Sequence, residues 1–220
     1  MKKIFLLCIS SLLLMMNANA QVSMGISGTG IYYDASGTET TKSSNEKNEK
    51  SDDGFAPMAS LFIEKELDTG MTVGLDVVPY GAKVADFNNA RTDTDTDDAS
   101  DTAGNNKGDV NFKNLITLYA SKDLANGMFA KFGLSRMTVE TDETVATGST
   151  YGDENIMGIM VGLGAQRDLN DGAFIRVEGQ VSRFQGATFD GSADSDSVKN
   201  KIELDDFTTA GIKFSVGKSF

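Results

Sequence analysis

The sequence predicts an all-β fold, an eight-stranded antiparallel up-and-down transmembrane β-barrel, and three observations carry that prediction. Eight segments alternate apolar with small or polar side chains at the two-residue period of a strand. Short turns ending in glycine alternate strictly with long acidic connections. Beyond the N-terminal leader there is no run of ~18 apolar residues of the kind a membrane-spanning helix requires.

The leader comes first. Lys2 and Lys3 precede an apolar stretch from Ile4 to Met16, and Ala18-Asn19-Ala20 supplies an A-x-A cleavage site. Residues 1–20 are therefore expected to be a cleaved signal peptide and residues 21–220 the barrel domain. Cys8 lies within the leader, so the mature chain is expected to contain no cysteine and no disulfide. Removing Lys2 and Lys3 lowers the basic count from 20 to 18 against 32 acids, a net charge of −14. That balance argues against nucleic acid as a partner.

Each predicted strand has two faces. In the first, Val22, Met24, Ile26 and Tyr32 oppose Ser23, Gly25, Ser27 and Thr29. In the second, Phe55, Ala59, Leu61 and Ile63 oppose Ala56, Ser60, Glu64 and Glu66; in the third, Met71, Val73, Leu75 and Val77 oppose Thr72, Gly74 and Asp76. The fourth sets Val110, Phe112, Ile116, Leu118 and Ala120 against Asn111, Lys113, Thr117 and Ser121. The fifth sets Met128, Ala130, Phe132 and Leu134 against Lys131, Gly133 and Ser135. The sixth sets Met157, Ile159, Val161, Leu163 and Ala165 against Gly158, Gly162, Gly164 and Gln166. In the seventh, Ala173, Ile175, Val177 and Val181 oppose Phe174, Arg176, Glu178, Gln180 and Ser182. In the last, Ala210, Ile212, Phe214, Val216 and Phe220 oppose Gly211, Lys213, Ser215, Gly217 and Ser219. Eight segments, an even number, each about ten residues or longer, suit tilted strands that cross a bilayer.

Asp68-Thr69-Gly70, Asp123 to Gly127 and Asp168 to Gly172 are the short connections. The last two share a hairpin sequence, Asp-Leu-x-Asn/Asp-Gly. The long connections run roughly over 36–53, 86–109, 140–155 and 185–205. This sorting matches short periplasmic turns and long extracellular loops. A soluble barrel that buries its apolar face around a ligand would not need to sort its loops by side.

In lipid an open sheet edge is excluded, so the first strand must pair with the last. An eight-stranded barrel has room inside only for its own side chains. The alternation sends Glu64, Glu66, Asp76, Lys113, Lys131, Arg176, Glu178 and Lys213 inward, four acids against four bases, and buried charges require partners. A salt-bridged plug is therefore expected, and a small channel that the acids bias toward cations is the alternative. Lys65, Lys122, Arg167 and Lys218 keep the lipid-facing parity beside the short turns, where they can snorkel. Arg136 and Arg183 keep it toward the long connections, where either snorkelling or a bulge would explain them. With no tryptophan, an aromatic girdle would draw on Tyr32, Tyr80, Phe112, Phe207 and Phe220.

With leader, eight strands, sorted loops and terminal Phe220 in place, the mature chain resembles the small bacterial outer-membrane barrels typified by the OmpA transmembrane domain and the OmpX and opacity-protein group. The resemblance implies a place in the outer membrane, with its lipid and lipopolysaccharide as neighbours. It implies that Phe220 ends a signature read by the barrel assembly machinery. It also implies a structural or surface-interaction role, with an extracellular partner that the sequence does not identify.

Enzymes on similar barrels rely on histidine with serine or aspartate, and this chain has no histidine. Neither enzymatic activity nor a cofactor is expected. Asp93, Asp95, Asp97, Asp98 and Asp101 space carboxylates as calcium loops do. Asp98 stands where the sharp-turn glycine belongs, and Gly104 where the bidentate glutamate belongs. A solvated acidic loop is the expected outcome, so millimolar calcium should release no binding heat in calorimetry; a saturable heat would make the loop a calcium site.

Overall fold

A computed structural model describes residues 21–41, 46–91, 104–144, 150–192 and 201–220. The leader with Cys8 and the carboxylates Asp93, Asp95, Asp97, Asp98 and Asp101 lie outside the described residues.

The expected barrel is present. Its strands are β1 (Val22–Thr41), β2 (Glu46–Glu66), β3 (Met71–Val77), β4 (Ala82–Arg91), β5 (Gly104–Asp123), β6 (Met128–Thr144), β7 (Glu154–Asp168), β8 (Ala173–Phe184), β9 (Ala187–Asp190) and β10 (Lys201–Ser219). All ladders are antiparallel. β4 continues the stave begun by β3 after a break at Pro79, and β9 continues β8, so ten segments make a ring of eight staves. The ring closes where β1 pairs with β10, from Ser23 opposite Ser219 to Thr40 opposite Lys201. Phe220 N–H donates to the Val22 carbonyl at 2.9 Å, and the hydroxyls of Ser23 and Ser219 lie 2.8 Å apart on the inner side of this seam.

The alternation holds along the wall. Ile26, Leu163, Phe214 and Val216 are more than half exposed, and with Leu61, Leu118, Phe132, Val161 and Ile212 they form an apolar outer band. On a protein in water so large an apolar surface would promote association; against hydrocarbon it has no such consequence.

The structure differs from the sequence expectation in three places. The long connections are strand for much of their length: β1 and β2 stay paired to Thr41 opposite Glu46, and β4 and β5 to Arg91 opposite Gly104. Toward the tip of the β1–β2 hairpin, where the adjacent Ser51 and Asp52 are both exposed, both faces meet water, so the ladder continues without the apolar alternation that marks a half-buried strand. Second, β5 carries a one-residue bulge between Lys113 and Ile116, opposite Thr138 and Arg136, with Asn114 at a φ of 54°. An extra residue reverses the facing of everything beyond it. Phe112, expected in the outer girdle, is therefore buried, and Lys113 leaves the lumen for the outer wall. Third, Phe207 follows its own strand's parity inward and is buried beside Phe112, with ring centroids 4.6 Å apart. Tyr32, Tyr80 and Phe220 are exposed at the ends of the band, joined by Phe55.

The repeated turn sequence produces a repeated geometry. Asn126 and Gly127 have φ of 61° and 74°, Asp171 and Gly172 have 60° and 75°, and each loop is closed by leucine donating to the residue four on, at 2.7 Å. At Gly172 a Cβ would also sit 2.7 Å from the Ser219 carbonyl oxygen. Gly172→Ala should cost about 1–3 kcal/mol, whereas Gly152→Ala, with nothing within 4 Å, should cost less than about 0.5 kcal/mol. Urea unfolding of protein refolded in lipid vesicles measures both.

Candidate functional site

The lumen is stacked in storeys along the barrel axis. Nearest the short turns, Phe62, Phe129 and Phe174 are buried. Beside them lie six of the eight predicted interior charges, forming three pairs. Arg176 grips Glu64 with both arms, Nη2 to Oε1 at 2.7 Å and Nη1 to Oε2 at 3.1 Å. Lys131 Nζ lies 2.5 Å from Glu178 Oε2, and Lys213 Nζ lies 2.8 Å from Asp76 Oδ2. Glu64–Arg176 and Asp76–Lys213 join staves on opposite sides of the β1–β10 seam and so depend on ring closure, whereas Lys131–Glu178 spans only β7, over Gly162.

Neutral groups complete the cluster. Tyr119 O–H donates to Glu64 at 2.7 Å, Ser60 donates to Asp76 at 3.1 Å, and Arg176 also donates to Gln166 Oε1 at 2.6 Å. Arg176 lies 5.0 Å from the Phe174 ring centroid and 5.1 Å from that of Phe129, and Lys131 is 4.4 Å from that of Tyr119. These cations face ring π-clouds on the sides that carboxylates leave open. Two glycines make room: Tyr119 crosses over Gly74, and a Cβ on Gly162 would lie 2.6 Å from Glu178 Oε1. That oxygen has no hydrogen-bond partner among the described residues, so Glu178 depends on Lys131.

Above the charges, hydroxyls of Thr29, Ser60, Thr117, Ser135, Ser182 and Thr209 border a cavity of about 40 Å³, space for a few waters at most. Higher still, Ile31, Met58, Phe112, Met137, Ile156, Phe184 and Phe207 form an apolar layer. The sequence reading expected a salt-bridged plug and did not include this apolar layer. The paired hairpins extend beyond the bilayer, and there their inner faces need an apolar core as any soluble sheet does.

Two predicted members lie outside the cluster. Glu66 has the inward parity but is the last residue of β2, exposed beside the turn. Lys113, re-aimed by the bulge, pairs with Glu140 on the outer wall. The interior balance is thus three acids against three bases. Phe174 already stood on the inward face in the sequence, whereas Tyr119, Phe62 and Phe129 were not named there, although their inward parity was the available signal. Glu64 and Glu178, a carboxylate pair of the kind that could in principle do acid–base work, are each tied to a base.

No protein-family model and no curated protein matches the sequence. Among solved structures the chain is similar to the outer membrane protein OprG from Pseudomonas aeruginosa, with 12% identity and a TM-score of 0.53 over 89% of this chain and 95% of that one. It is also similar to the outer membrane protein AlkL, determined in DMPC lipid bilayers, with 11% identity and a TM-score of 0.52 over 91% and 90% of the two chains. At these identities the likeness is one of fold, that of the small outer-membrane β-barrels.

Removing one partner of a buried pair strands the other, at a cost of about 3–5 kcal/mol, whereas an exposed pair contributes at most about 1 kcal/mol. Lys131→Met should therefore destabilise most, because Glu178 keeps no other donor. Lys213→Met should cost less, since Asp76 retains Ser60, and Lys113→Met should cost least. The order of urea midpoints followed by circular dichroism tests this ranking.

Proposed function

We propose that this chain is an integral protein of the bacterial outer membrane, delivered there by its cleaved leader, whose closed barrel holds acidic hairpins outside the cell as a structural or surface-interaction module. The reading begins from a ring of eight staves with an apolar outer band and short turns gathered at one end.

The observation that carries the closed lumen is the one-to-one pairing of three acids with three bases across it, capped by the apolar layer. An ion entering would have to break a buried pair or desolvate against packed phenylalanines, and either is unfavourable. A cavity of about 40 Å³ accommodates water without forming a continuous file. The small-channel alternative would require those pairs to part. The carboxylates in the lumen are engaged and the chain has no histidine, which favours a non-enzymatic role.

The hairpins are the surface on which recognition would occur. β1 and β2 carry Glu39, Glu49, Asp52 and Asp53 above the band, and β6 carries Glu140, Asp142 and Glu143. Alternating charge along Lys47 to Asp53 also discourages edge-to-edge pairing with another sheet.

Refolded protein in planar bilayers should give no reproducible conductance steps, and cell fractionation should place it with the outer membrane. Steady unitary steps would overturn the closed lumen, and recovery in the soluble fraction would overturn the membrane reading.

A further inference from the structure

The bulge in β5 does more than exclude Lys113 from the lumen, because around the re-aimed side chain the outer wall gathers polar groups. Lys113 is the register partner of Thr138, and Thr138 of Asn155, so the three occupy one row across β5, β6 and β7. Arg136 lies two residues nearer the short turns on β6 and leans into that row, donating from Nη2 to Asn155 Oδ1 at 3.0 Å. Thr138 Oγ1 donates to the same oxygen at 3.0 Å, and Asn114 Nδ2 approaches Thr138 Oγ1 at 3.4 Å. Asn114 occupies the positive-φ position of the bulge, so the extra residue places it here together with Lys113.

Two cations stand close together here in a chain of net charge −12. Lys113 pairs with Glu140, Arg136 donates to Asn155, and the exposed Asp153 and Glu154 precede Asn155 on the long-hairpin side. The height of the patch is specific. Leu134, Met157 and Ile116 lie immediately toward the short turns, and the first two are about half exposed as part of the apolar band. The patch therefore sits where hydrocarbon gives way to headgroups, on the long-hairpin side. On β1 and β2 the band ends differently, at Tyr32, whose hydroxyl donates to Asp53 at 2.7 Å, with Asp34 in register with Asp53. An anion would be repelled there.

We propose that Lys113, Asn114, Arg136, Thr138 and Asn155 bind the phosphate of an outer-leaflet glycolipid, lipopolysaccharide, on one side of the wall. The inference rests on the outer-membrane placement proposed above. A phosphate is the anion available at that depth, the planar guanidinium of Arg136 suits its oxygens, and the lysine and neutral donors supply further hydrogen bonds. Glu140 competes with the phosphate for Lys113, which moderates the affinity.

The test uses purified full-length mature protein refolded in detergent micelles, titrated with bisphosphorylated lipid A and with its dephosphorylated form, and read by native mass spectrometry. The phosphorylated lipid should bind about tenfold more tightly, the factor that one or two charge-assisted contacts supply. K113Q/R136Q should abolish that preference, and E140Q should strengthen binding. K65Q/K122Q, which removes cations at the opposite rim, should leave the preference unchanged, and heat-modifiable gel mobility verifies that each variant is folded. Equal affinity for the two lipids, or an equal loss in K65Q/K122Q, would overturn the site. Fractionation reports the outer-membrane placement separately, so failure of that placement is distinguishable from failure of the site.

Discussion

The structure depends on the closure of one hydrogen-bond ladder. A strand in hydrocarbon has no water to satisfy its free edge, and each unpaired backbone group costs several kcal/mol. β1 and β10 remove that cost by pairing along almost their whole length, from Ser23 opposite Ser219 up to Thr40 opposite Lys201. Serine pairs line the inner side of the seam at Ser23–Ser219 and Ser27–Ser215, each 2.8 Å apart. Closure defines an inside and an outside, and every later feature follows from which side a residue faces.

The lumen shows that consequence directly. Charges sent inward by the strand period can survive burial only if they find partners, and the partners are far apart in sequence: Glu64 with Arg176, Asp76 with Lys213, Lys131 with Glu178. Aromatic rings and a few hydroxyls complete their surroundings, and small residues at Gly74 and Gly162 make space for Tyr119 and Glu178. Polar filling gives way to apolar filling toward the long hairpins, where Tyr33 O–H donates to the Val84 carbonyl over a layer built on Phe112, Phe184 and Phe207. The filling changes with depth because the medium outside changes from lipid to water.

A single inserted residue reorganises one side of the wall. The bulge between Lys113 and Ile116 buries Phe112, exposes Lys113 and brings Asn114 beside Thr138. Arg136 keeps its outward parity with no irregularity in its pairing to β7, because the extra residue lies in β5 opposite it. The sequence left snorkelling and a bulge as alternatives there; the residue itself sits outward at the band's edge, with the bulge in its neighbour.

The sequence by itself determined the strand count, the sorting of short turns from long connections, the seam between Val22 and Phe220, and the inward placement of Glu64, Asp76, Lys131, Arg176, Glu178 and Lys213. These are legible because a period of two and the chemistry of glycine turns are local properties that lipid makes obligatory. Only the tertiary structure decided which charges pair, that Glu66 stops short of the lumen, that Phe112 turns inward, and that Lys113 turns out; the inward facing of Phe207 was already written in the parity of its strand. Pairing across a ring joins residues whose separation in the chain carries no signal. A bulge leaves no mark in a run of residues that reads equally well in either parity, so its position emerges only when the neighbouring strand fixes the register.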